Sequence, residues 1–96
     1  MTWSDQANRE LRELRQRIAK DTPRRANEYV RKLREAVSGL RRFPESGAVV
    51  EEINDPSIRE IPYDRYRVIY RYDGEGVRIL SVWPAARPLH ARNLES

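Results

Sequence analysis

Ninety-six residues suffice for one hydrophobic core and leave little surplus for a second domain. With 35% charged residues, a single Phe and a formal net charge of +4, the chain lies at the polar end of globular composition; the charge suits an acidic protein, a ribosome or a nucleic acid as partner and does not choose among them. The absence of cysteine excludes disulfides, thiolate nucleophiles and Cys-based metal sites, and a lone histidine, His90, excludes a multi-His site, so no cofactor and no metal are expected.

After Met1-Thr2-Trp3, Ser4 is placed to N-cap a helix whose apolar positions Ala7, Leu11, Leu14 and Ile18 recur at helical spacing. Thr22-Pro23 restarts the chain, because Pro at the first helical position loses only an N–H that has no partner there. The second stripe, Ala26, Tyr29, Val30, Leu33, Val37 and Leu40, completes a helical hairpin over about residues 4–42, with Arg41-Arg42 complementing the dipole at its end. The charged faces, with Arg9, Arg12, Arg24 and Arg31 among Glu13, Glu28 and Glu35, read as solvated surface with helical ion pairs.

Phe43-Pro44-Glu45-Ser46-Gly47 is turn chemistry, and the pattern then becomes extended. Val49 to Ile53 is a short strand candidate, and Ile58 to Tyr63 is a strand whose Pro62 requires a sheet edge or a bulge. From Arg65 to Tyr72, Tyr66, Val68, Tyr70 and Tyr72 fall on one side and Arg65, Arg67, Ile69 and Arg71 on the other. Asp73-Gly74-Glu75-Gly76 supplies a hairpin loop, and Val77 to Trp83 resumes with Val77, Ile79 and Trp83 against Leu80 and Val82, apolar on both sides and therefore central. Residues 84–96 lack periodicity and read as a tail in which Leu89 and Leu94 are available to dock.

These elements make a single α+β domain, 1–96, with the helical hairpin on one face of a small antiparallel sheet spanning about 48–83. The other face is expected to stay partly open, because burying Arg65, Arg67 and Arg71 without partners would be costly. Arg59, Arg65, Arg67, Arg71 and Arg87 are accordingly the candidate contacts to a target or anion, and Trp83 and Leu89 the candidate partner-binding residues. Arg59-Glu60 and Arg67 with Glu60 have a purely structural reading as cross-strand couples, and the tyrosine stripe reads as core rather than as a base-stacking platform. No segment has the length of a membrane span and the N-terminus lacks the apolar run of a signal peptide, so a cytoplasmic location away from membranes is expected.

The ordered set Trp3-Ser4, Ala7, Asp21-Thr22-Pro23, Leu40 with Pro44 and Gly47, Asp55-Pro56-Ser57-Ile58-Arg59-Glu60, Tyr66-Arg67-Val68-Ile69-Tyr70-Arg71 and Val82 with Arg87 resembles the RelE/ParE superfamily of bacterial type II toxins across nearly the whole chain. The resemblance implies a toxin neutralised by a cognate antitoxin, with either DNA gyrase or the ribosome and its mRNA as target. A ribosome-dependent endoribonuclease needs a base, an acid and cations around the scissile phosphate. Arg67 and Arg87 match the superfamily's strand arginine and the arginine after the last strand, and Glu51 lies near a glutamate that some ribonuclease members use catalytically. Glu51 and Glu52 stand where such enzymes carry lysines, no Tyr follows Arg87, and His90 is the sole candidate for their terminal His. The pattern therefore favours the ParE-like, gyrase-inhibiting branch, although Pro84-Ala85 replaces the His-Gly common there. The brief start before Trp3-Ser4 implies a shortened or missing N-terminal edge strand.

Overall fold

Ser4 joins the sheet to the first helix. Its backbone N–H donates to the Ile79 carbonyl at 2.8 Å, its hydroxyl donates to the Leu80 carbonyl at 3.0 Å, and the same oxygen accepts from the Ala7 N–H at 3.0 Å, capping the helix it precedes. The computed structural model, which describes residues 1–95, runs β1 (Thr2–Trp3), α1 (Asp5–Ala19), α2 (Pro23–Ser38), β2 (Ala48–Val49), β3 (Ile58–Tyr63), β4 (Tyr66–Tyr72) and β5 (Val77–Pro84). Short 3-10 turns follow α2 at Gly39–Arg41 and close the chain at Ala91–Asn93.

The sheet order is β1-β5-β4-β3-β2. Strands β2 to β5 form the expected antiparallel meander, whereas β1 lies parallel to β5, pairing Thr2 with Arg78 and Trp3 with Ile79. The sheet is thus mixed, and the N-terminal strand is present but two residues long. Only Ala48 and Val49 pair with β3; Val50 donates its N–H to Ile58 and the chain then turns through Glu51–Asn54, so the expected strand to Ile53 is cut short. Asn54 sits at a φ of 56°, the left-handed conformation that Asn tolerates better than most residues. Pro62 pairs with Arg67 beyond the stretch of β3 that β2 covers, so its missing N–H faces no ladder.

The helices bury Ala7, Leu11, Leu14, Leu33, Val37 and Leu40 against Val68, Tyr70, Val77, Ile79 and Val82 of the sheet. On the opposite face Val50, Ile58, Ile69, Leu80, Trp83 and Leu89 form a second core. That face is closed, contrary to the expectation of an open one, because residues 85–95 fold back as a strap instead of trailing as a tail. Leu89 is 1% exposed, the Gln6 amide donates to the Asn93 carbonyl and accepts from the Glu95 N–H, each at 2.7 Å, and Arg9 pairs with Glu95.

The register slips between Ile69 and Tyr70, so that Ile69 faces Ser81, Tyr70 faces Ile79 and Leu80 has no opposite residue. This bulge changes which residues of β5 share a face: Val77, Ile79 and Val82 lie under the helices, and Leu80 and Trp83 lie under the strap. Strict alternation places Trp83 with Val77 and Ile79 and is wrong beyond the bulge. Glu10 of α1 accepts from the Ser81 hydroxyl at 2.8 Å and the Val82 N–H at 3.0 Å, satisfying donors at the irregularity.

Candidate functional site

Arg67 is the arginine of β4 that the strap encloses. Its side chain is 12% exposed and lies between two carboxylates, with Nη2 2.8 Å from Glu52 Oε2, Nη1 3.1 Å from Glu52 Oε1 and Nη1 3.4 Å from Glu60 Oε1. Nη2 also donates to the Arg87 carbonyl at 3.3 Å, and that carbonyl accepts from the Trp83 indole at 3.2 Å. The bidentate contact holds the Glu52 carboxyl below the usual carboxylate range, mainly through the hydrogen bonds from Arg67, and the same bonds push the Arg67 guanidinium up against the opposing effect of burial. Two carboxylates on one guanidinium leave a local charge of −1. An incoming phosphate would meet repulsion there rather than a free cation.

The other sequence candidates scatter. Arg59 makes no couple with Glu60; its Nη1 donates to the carbonyls of Gly47 at 2.8 Å and Glu45 at 3.3 Å, pinning the turn after the helical hairpin. Arg71 donates to the Ser57 hydroxyl at 3.0 Å and lies 3.5 Å from Asp55, whose carboxyl is held low mainly by the Ser57 backbone and hydroxyl. Arg65 is exposed in the turn between β3 and β4, away from Arg67. The Arg87 guanidinium lies 5.2 Å from the Trp83 ring centroid on the outside of the strap. Trp83 and Leu89 are internal to the second core, so in this structure they hold the strap down and present no docking surface. Glu51 and His90 are exposed and, among the described residues, make no side-chain ion pair. Among the described residues no cluster of three or more His, Asp or Glu side chains is placed to hold a metal.

Of the ribonuclease candidates, the fold brings Arg67 and Arg87 together through Arg87's carbonyl and not through two convergent guanidinium groups. The family model for the ParE toxin of the type II toxin–antitoxin system parDE matches residues 1–89. The chain belongs to the ParE toxin family. A solved structure described as a chromosomal ParDE toxin–antitoxin system from P. aeruginosa superposes with a TM-score of 0.74 at 20% identity, covering 86% of this chain and 91% of that one, which is a likeness of fold. No curated protein matches the chain.

Sequence reasoning missed the functional geometry of this ParE-family chain in two places. Glu52, rather than Glu51, is the carboxylate that meets Arg67, and the legible signal was only that two glutamates precede the Asn54-Asp55-Pro56-Ser57 turn. Gln6 is buried as the anchor of the strap, and a Gln at the edge of an apolar helix stripe carries no mark of that role.

Proposed function

We propose that this chain is a ParE-type toxin that inhibits DNA gyrase by occupying it, without turnover or cofactor, and that a cognate antitoxin holds it inactive. Membership of the ParE family supports the gyrase reading. The single structural observation that carries it against the ribonuclease alternative is the state of Arg67, which the alternative needs as a phosphate-binding cation and which two carboxylates neutralise at 12% exposure. The ParDE neighbour supports an antitoxin as partner. Phe43 in the turn after α2 and Val49 on the edge strand β2, 61% and 39% exposed, are apolar surface that such a partner would cover, and an acidic antitoxin segment complements a chain of net charge +4.

Controlled induction in a bacterial host, with labelled thymidine and labelled methionine followed over the first minutes, tests the proposal. Early loss of DNA synthesis with protein synthesis intact is expected, followed in purified form by inhibition of supercoiling that the antitoxin relieves. Early loss of methionine incorporation would overturn it in favour of a ribosome-dependent nuclease.

A further inference from the structure

The turn that closes the helical hairpin and the turn between β3 and β4 face each other across a cleft of about 470 Å³ on the helix side of the sheet, away from Arg67. Three guanidinium groups line it: Arg17 from the last turn of α1, Arg25 from the first turn of α2 and Arg65 from the β3–β4 turn. Arg67 meets Glu52 and Glu60 and Arg9 meets Glu95, whereas Arg59 donates to backbone carbonyls and Arg87 lies over Trp83. Among the described residues none of the three cleft arginines lies in an ion pair, although Asp21 and Asp64 also line the cleft. Asp64 instead accepts from the Tyr29 hydroxyl at 2.9 Å, and burial, reinforced by that bond, pushes the phenol's pKa well above its ordinary value.

Hydroxyl donors complete the lining. The Tyr66 oxygen accepts from Arg17 Nη2 at 3.0 Å, which leaves its own proton free to be donated, and the Thr22 hydroxyl makes no capping bond to α2. The lining thus holds three cations and two carboxylates, one of which the Tyr29 hydroxyl engages, in a chain of net charge +4.

We infer that this cleft is a binding site for a phosphate group, gripped by Arg17, Arg25 and Arg65. Three guanidinium forks and two hydroxyls offer more donors than the two oxygens of a carboxylate can use, and they suit the tetrahedral oxygens of a phosphate. A nucleic-acid backbone and a free phosphate compound present the same chemistry. The inference does not depend on the gyrase reading, because it rests on this cleft alone.

The test is a titration of the full chain with inorganic pyrophosphate and, separately, with a short DNA duplex, followed in 1H–15N spectra at the arginine Nε–Hε groups and the Thr22 amide. Arg17, Arg25 and Arg65 are expected to shift together and ahead of the other arginines. The Arg25→Gln/Arg65→Gln variant should raise the apparent Kd of the binding probe about tenfold, and for the duplex it should lower the salt slope by roughly 0.9 per lost phosphate contact. A control of equal charge change on exposed positions, Arg12→Gln/Arg41→Gln, should change Kd less than about twofold, since surface charge away from a contact is largely screened. Response to the duplex alone assigns the site to a nucleic-acid backbone, and response to pyrophosphate alone assigns it to a free phosphate compound. No shift at the three arginines with either probe, shifts spread evenly over all arginines, or equal weakening by both double variants would overturn the inference.

Discussion

Gly47 is the position at which one atom decides most. Its N–H donates to the Tyr70 hydroxyl at 3.0 Å, and that hydroxyl donates to the Pro44 carbonyl at 2.7 Å, so a buried phenol ties the turn after α2 to the central strand. A Cβ at residue 47 would stand 2.6 Å from both the Tyr70 oxygen and the Glu60 carbonyl. Gly47→Ala is therefore expected to cost about 1–3 kcal/mol through overpacking, and Tyr70→Phe about 1–3 kcal/mol through the unpaired backbone groups it leaves. Because both act on one contact, the double variant should be less destabilised in denaturant melts than the sum of the two; strict additivity would show that they are not coupled. Glu52 supports a second prediction, about pH. Its folded pKa is depressed by Arg67, so the stabilisation is present above the unfolded value of about 4.3 and is lost as pH falls through the folded value. Wild type should lose more stability than Glu52→Gln between about pH 6 and about pH 3, by a modest amount because the Glu52 side chain is 41% exposed. Equal losses would remove Glu52 from the acid response. At this scale the sequence was partly legible: Tyr70 as core and Phe43–Gly47 as a turn follow from local pattern. The contact between them, and the choice of Glu52 over Glu51, depend on how distant segments meet.

The helices and the β4–β5 hairpin were the legible elements, because each carries its own periodicity and punctuation. Ser4 and Thr22-Pro23 start the helices where expected, although only Ser4 caps with its side chain. In the loop after β4, Gly74 takes a φ of 99° while Gly76 does not take a positive one, and the Glu75 N–H donates to Asp73. What failed was the element with no periodicity. The strap is held by side chain to backbone bonds from Gln6, by the Arg67 and Trp83 bonds to the Arg87 carbonyl and by two leucines, Leu89 and Leu94, none of which repeats along the chain. Gln6→Ala should therefore loosen the strap without melting the sheet: hydrogen exchange at Glu95, whose N–H loses its acceptor, should accelerate, while the β4 amides keep their protection. Faster exchange throughout β4 would show that Gln6 supports the whole fold instead.

The molecule is a sheet sealed on both faces, with α1 and α2 over one and the strap over the other, and the bulge at Leu80 lets β5 serve both cores. The expectation of an open arginine face failed for a physical reason. Burial of Arg67 becomes tolerable once it has partners: Glu60 of β3, which cross-strand pairing already offers, and Glu52 of the Glu51–Asn54 turn, which it does not. A chain this small has few apolar side chains to divide between two cores, so neither layer should be stable without the other. In a Trp3→Phe background, Trp83 fluorescence reports the strap core and far-ultraviolet circular dichroism the helices, and their denaturant transitions should coincide. Leu89→Ala, which empties a site 1% exposed between Trp83 and Leu80, should lower stability by about 2–5 kcal/mol and shift both transitions together. If the Trp83 transition moved to lower denaturant while the helical signal stayed in place, the strap would be an independent layer, able to lift and uncover Arg67 without unfolding the domain.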